Sequence, residues 1–181
     1  MRILKEDTIA LIIDVQDKLI PVMYNKDTLV QNTKLLINGL SILKIPMIVS
    51  QQYTKGLGMT VDEIKNLFGD NFQYYDKITF SSYEDEKIKA VIKEQKRKNI
   101  IIFGIEAHVC VLQTVIDCMA AGYHVTVIKD CIGSRKESDM DVAIQRYISE
   151  GAQVSTYESI LFELTREAGN DTFKAISRLI K

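Results

Sequence analysis

The chain has 181 residues, the size of one domain, since compact domains commonly run roughly 100–200 residues. Hydrophobic residues make up 46% and charged residues 26%, an ordinary globular composition that argues against a disordered, collagenous or coiled-coil chain. The 23 Lys and Arg residues are matched by 24 Asp and Glu, for a net charge of −1, so no basic field favours nucleic acid as a partner.

The first residues carry Arg2, Lys5, Glu6 and Asp7, and the apolar run that follows, Ile9–Ile13, stops at Asp14. That run is too short for a signal segment or a membrane span, so a cytoplasmic protein without membrane contact is expected. Thr8–Val15 is continuously apolar and β-branched, as in a strand buried on both faces of a parallel sheet. From Asp27, a candidate N-cap, apolar residues at Leu29, Thr33, Leu36, Ile37, Leu40 and Leu43 follow a helical period. Pro46 ends that helix and Met47–Ser50 reads as a second strand. Residues 51–82 are less regular, with a short helix expected over Val61–Phe68 and a short strand over Lys77–Phe80. A helix is predicted over Glu84–Lys98, then a buried strand over Asn99–Gly104. Ala107–Ala121 is apolar nearly all round and ends at Gly122, so a helix covered on several sides is expected. A strand over His124–Lys129, a helix over Asp139–Ile148, a strand over Ala152–Thr156 and two terminal helices complete the pattern. No repeat or linker divides it, so residues 1–181 are read as a single α/β domain. Its strands and helices alternate, which implies a doubly wound, mostly parallel sheet with helices on both faces, a Rossmann-like three-layer sandwich.

In such folds ligands sit beyond the carboxyl ends of the strands, which directs attention to Asp14 and to the segment after Gly104. Cys110 falls in the expected first turn of the apolar helix, where the helix dipole favours a thiolate, although most free cysteines are simply small core residues. Cys118 and Cys131 are better read as core. With three cysteines and no Cys-x-x-Cys, neither a disulfide framework nor a zinc knuckle is expected. His108 lies two residues from Cys110, a spacing that points the two side chains to different helix faces, and His124 opens a strand at the opposite edge. Asp14 can supply a base instead, because a carboxylate closing an apolar strand is desolvated and readily takes up a proton; the alternative is an N-cap for the next segment. Lys77 stands among aromatics in Phe72–Phe80 and is expected to be partly buried and to seek an anion, the alternative being a solvated strand residue. Gly56-Leu57-Gly58 lacks the third glycine of a dinucleotide fingerprint, and two histidines make a poor metal site, so neither a nucleotide cofactor nor a metal is expected.

The segments Ile12-Ile13-Asp14-Val15-Gln16, Lys77-Ile78-Thr79-Phe80-Ser81 and Gly104-Ile105-Glu106-Ala107-His108-Val109-Cys110-Val111, in that order, resemble the isochorismatase-like cysteine hydrolase superfamily. The resemblance implies a triad of Asp14, Lys77 and Cys110, in which Asp14 takes the thiol proton, Lys77 stabilises the charged forms and Cys110 forms a covalent acyl-enzyme. It also implies a non-proline cis peptide at Ile105–Glu106 and an oxyanion hole made by the backbone N–H groups of Glu106 and Cys110. Where the nicotinamidase branch carries an Asp-x-His metal motif, this chain has Ser50-Gln51-Gln52-Tyr53, and the segment Gln51-Gln52-Tyr53-Thr54-Lys55-Gly56-Leu57-Gly58 resembles the metal-free branch of small members. Gln16, Tyr53, Phe80 and Glu106 neighbour the triad motifs and are candidates for the pocket wall, each of them equally compatible with simple packing or a loop. The expected activity is hydrolysis of a carbonyl–nitrogen bond in a small molecule; alternatives are vinyl ether hydrolysis through Asp14 and Lys77, or a non-catalytic thiol module. A homo-oligomer is expected from the resemblance and from the all-round apolar helix.

Overall fold

Six strands, β1 (Thr8–Ile13), β2 (Met47–Gln52), β3 (Tyr75–Lys77), β4 (Asn99–Ile105), β5 (His124–Gly133) and β6 (Gln153–Ser155), pair in the order β3-β2-β1-β4-β5-β6, every pairing parallel. The computed structural model describes residues 2–181. The strand order reverses direction between β1 and β4, the doubly wound arrangement expected from the alternating pattern, and that reversal opens a crevice at the carboxyl edge. Every residue of β1 and β4 is buried, which is why both strands are continuous apolar runs instead of alternating ones.

The helices are α1 (Lys26–Ile42), the single turns α2 (Thr54–Leu57) and α3 (Asp62–Lys65), α4 (Glu86–Glu94), α5 (Leu112–Ala120), α6 (Glu137–Ser149), α7 (Tyr157–Thr165) and α8 (Asp171–Ile180). Helix α1 packs with α7 and α8 beside β5, whereas α5 and α6 pack on each other and on β5. The N-cap of α1 is Asn25 rather than Asp27, which lies one residue inside the first turn. The expected helix Val61–Phe68 is only α3 followed by a 3₁₀ segment, Asn66–Asn71, broken at Gly69.

The helix expected to be apolar on all sides buries only one face, through Ala107, Cys110, Val111, Thr114, Val115 and Cys118, while Gln113, Ala120 and Ala121 are exposed. Apolar composition therefore overstated its coverage, since half-buried outward residues such as Leu112 and Ile116 need no further covering layer. The oligomer argument that rested on that helix loses its premise.

Three free thiols are buried in this core. Burial pushes Cys118 and Cys131 well up, and Cys110 from 9.0 to about 12. In the unfolded chain these thiols ionise near pH 9.0, well before the folded ones. Their contribution to stability is complete below that pH and is lost as pH rises toward the folded values, by up to ~1.4 kcal/mol per pH unit for each thiol. The urea midpoint is expected to be lower at pH 10.5 than at pH 8, and less so in Cys118→Val; an equal decline in that variant would remove the thiols from the explanation.

Candidate active site

Asp14 follows directly on β1 with a left-handed φ of 52°, a conformation that non-glycine residues adopt sparingly and that concentrates at functional sites. Its N–H donates to the Ser50 carbonyl of β2 at 3.2 Å. On the other side β4 passes so close that a Cβ at Gly104, whose φ is 121°, would sit 2.1 Å from the Ile13 carbonyl oxygen. Only glycine allows the two strands flanking the crevice to meet there. Asp14 is fully buried; its Oδ1 accepts from Ser50 Oγ at 2.9 Å and its Oδ2 from Lys77 Nζ at 2.7 Å.

Lys77 is the last residue of β3, not the first of the strand predicted over Lys77–Phe80, and it pairs in register with Gln52 at the end of β2. Its long side chain reaches across β2 to the end of β1. The chain then turns back so that the carbonyls of Thr79 and Phe80 accept from Nζ at 3.2 and 3.0 Å, alongside Gln52 Oε1 at 2.7 Å. An ammonium has three protons, so four acceptors saturate it. Lys77 is only 1% exposed, buried more completely than the sequence implied, and such burial requires this degree of pairing.

Cys110 lies in a π-helical turn, Ala107–Val111, that precedes α5. The turn is closed by Val111 N–H donating to the Glu106 carbonyl five residues back, at 3.2 Å, and such turns recur at functional sites. The fully buried Tyr147 of α6 donates its hydroxyl to the Ala107 carbonyl at 2.5 Å and anchors the start of the turn. The peptide Ile105–Glu106 is cis. The Asp14 and Lys77 charges and the Glu106 backbone N–H all act on the thiol. The expectation of a thiol lowered by the helix dipole is corrected: burial first, and then the charge of Asp14, raise Cys110 to about 12, against the smaller lowering effects of Lys77 and the Glu106 N–H. The resting sulfur is a neutral thiol. His108 turns away, its Nδ1 2.9 Å from Ser134 Oγ.

The four pocket-wall candidates separate. Gln16 is fully buried: its Nε2 donates to the carbonyls of Gln52 and Gly58, and its Oε1 accepts from Gln52 N–H. Gln16 is thus no wall residue, because its polar atoms are consumed in holding the end of β2. Tyr53 and Phe80 are 49% and 52% exposed, and the half-buried Glu106 accepts from Arg135 Nε at 2.9 Å. Sequence reasoning missed Ser50, Gln52, Ser82, Thr114 and Arg135. Of these, only Ser50 and Gln52 carried a signal, by lying in the segment Ser50–Tyr53 that departs from the metal motif. Among the described residues no group of three or more His, Cys, Asp and Glu side chains is placed to hold a metal ion.

A doubly wound parallel sheet with a buried acid–amine pair and a neighbouring thiol at its switch point defines a class of Rossmann-like α/β proteins, and comparison with known proteins makes that class specific. The isochorismatase domain model matches residues 8–159, so the chain belongs to the isochorismatase family. It is 33% identical to the secreted isochorismatase effector Isc1 of Phytophthora sojae, over 99% of this chain and 87% of that protein. Among solved structures, the MAR1 ribonuclease of Caenorhabditis elegans is 33% identical with a TM-score of 0.93, covering 99% of this chain and 92% of that one. The YcaC gene product of Escherichia coli, described as an octameric hydrolase of unknown specificity, is 26% identical with a TM-score of 0.93, covering 99% and 89%. YcaC from Pseudomonas aeruginosa, solved with hexane-2,5-diol and covalent acrylamide, is 25% identical with a TM-score of 0.90, covering 97% and 89%. The fold and the family are those that the sequence motifs implied.

Proposed function

We propose that the chain hydrolyses a carbonyl–nitrogen bond in a small molecule through an acyl-enzyme on Cys110. The observation that carries this is a single buried carboxylate, Asp14, paired with the buried Lys77 ammonium at 2.7 Å and near enough to the Cys110 thiol for its charge to act on it. As Sγ attacks the carbonyl carbon, its proton passes to Asp14, and the Lys77 amine faces a neutral acid and a developing anion instead of a carboxylate. The carbonyl oxygen gains the negative charge and is received by the backbone N–H groups of Glu106 and Cys110. Collapse breaks the carbon–nitrogen bond, and Asp14 returns the proton to the leaving nitrogen. Asp14 then takes a proton from water, which displaces the thiolate from the acyl group, and the same proton restores the thiol. No step needs a metal or a cofactor.

Acrylamide held covalently in the Pseudomonas relative supports the presence of a nucleophile in proteins of this shape. A non-catalytic thiol module would require no Lys77, so the buried Lys77–Asp14 pair favours the catalytic reading. The ribonuclease name of the nematode relative is not carried over, since the net charge here is −1 and the Lys77 amine already has four acceptors. Three unpaired thiols fit a reducing compartment such as the cytoplasm, and likeness to an octameric relative favours a homo-oligomer.

The test is a panel of small amides with Cys110→Ala as the blank, read as ammonia or amine released, with pyruvate release from isochorismate as the competing outcome. Iodoacetamide should mark Cys110, 7% exposed, well before Cys118 and Cys131, both fully buried. Equal labelling of the three in folded protein, or amide turnover that survives Cys110→Ala, would exclude the nucleophile assignment.

A further inference from the structure

Behind the triad lies a chain of hydroxyl groups that the mechanism above does not use. Ser50 Oγ donates to Asp14 Oδ1 at 2.9 Å, and its own oxygen accepts from Ser82 Oγ at 3.2 Å. Ser82 in turn gives its backbone N–H to Thr114 Oγ1 at 2.9 Å, and the Thr114 hydroxyl donates to the Cys110 carbonyl at 2.7 Å. The chain runs from the Asp14 carboxylate to Cys110, whose thiol lies within reach of that carboxylate's charge, so Asp14, Ser50, Ser82, Thr114 and Cys110 form a ring of neighbours hydrogen-bonded along every side but the one between Cys110 and Asp14. Its direction is determined, since a carboxylate and a carbonyl can only accept, so each hydroxyl is left one way to point. Asp14, Ser50, Ser82 and Thr114 are all fully buried. The ring draws together the ends of β1 and β2, the loop after β3 and the first turn of α5, four segments far apart in sequence.

We propose that Ser50, Ser82 and Thr114 are positioning residues that hold the Asp14 carboxylate and the Cys110 turn in the one relation that allows proton transfer. This rests on the acid–thiol assignment made under the proposed function. Packing alone would require only that the buried hydroxyls be satisfied somehow; here every bond leads toward either the base or the nucleophile. Thr114 sits one helical turn beyond Cys110 and fixes its carbonyl, while Ser50 fixes the carboxylate oxygen opposite the one bonded to Lys77. Breaking the ring at either place frees one partner relative to the other, so a second break adds little.

The readout is the rate at which iodoacetamide alkylates Cys110 in folded protein, followed by mass spectrometry, which requires no knowledge of the substrate. Ser50→Ala, Ser82→Ala and Thr114→Val, the last nearly isosteric, should each slow it about tenfold, the loss expected when one bond to a charged or aligned group is removed. The double variant Ser50→Ala/Thr114→Val should fall no further than the singles, and Thr114→Ser, which keeps the hydroxyl, should retain the parental rate. Unchanged or faster alkylation in the ring variants, with Asp14→Asn slowed, would overturn the ring while leaving the base assignment intact. Unchanged alkylation in Asp14→Asn would instead overturn the base assignment itself. Additive losses in the double variant, or Thr114→Ser as impaired as Thr114→Val, would reduce the three residues to packing.

Discussion

On the proposed mechanism, turnover of an amide is expected to fall by roughly four orders of magnitude in each of Cys110→Ala, Asp14→Asn and Lys77→Met, and by little more when two of these changes are combined. The reason is that each residue completes a function of the others. Without Cys110 no acyl-enzyme forms; without the Asp14 carboxylate the thiol, raised to about 12, has nowhere to send its proton. Without Lys77 the fully buried carboxylate loses its charge partner at 2.7 Å. Steady-state kinetics on the double variant Asp14→Asn/Lys77→Met give the sharpest comparison. Losses that multiply would mean three independent contributions, and a Lys77→Met enzyme retaining a tenth of its activity would reduce Lys77 to a structural role.

The same lysine should dominate stability. Both side chains of the Lys77–Asp14 pair have no exposed surface, and removing one partner of a buried pair leaves the other charge uncompensated, a loss of about 3–5 kcal/mol. Lys77→Met is therefore expected to lower unfolding free energy by that amount in urea titrations near pH 7. Asp14→Asn/Lys77→Met should be less destabilised than Lys77→Met alone, because the stranded carboxylate is gone. Recovery will be incomplete, since Gln52 Oε1 and the carbonyls of Thr79 and Phe80 also lose their donor and unpaired buried acceptors carry their own cost. A double variant as unstable as Lys77→Met would place the effect in the folded-back loop 78–80 and not in the ion pair.

Much of the architecture can be read from the residues in order. Thr8–Ile13 and Asn99–Ile105 are unbroken apolar runs because both faces of a central parallel strand are covered, and α1 shows its inward stripe at Leu29, Thr33, Leu36, Ile37 and Leu40. These are properties of backbone period and side-chain polarity, which are local. Alternation of strand and helix then leaves few topologies open, so the doubly wound sheet follows, and with it a crevice at the carboxyl ends. Asp14 and Cys110 were singled out by standing at those ends, and Lys77 by aromatic surroundings and motif resemblance.

What the residues in order could not supply is how side chains from different strands meet. Lys77 reaches Asp14 only because β2 lies between β3 and β1 and because residues 78–80 fold back over the amine, and neither is a local property. Gln16 looked like a pocket residue beside Asp14 but is closed in by the backbone of Gln52 and Gly58, which come from more than 35 residues away. The Cys110 thiol was assigned the wrong direction because the helix dipole is visible in a sequence, whereas the burial and the neighbouring carboxylate that outweigh it exist only after folding. Ser82 and Thr114 had no signature at all, since a single hydroxyl residue looks the same whether it faces solvent or bonds into a buried network. Polarity and period determine which face of an element turns inward; the order of strands in the sheet, and the close approach that Gly104 permits between two of them, determine which inward-facing groups find one another.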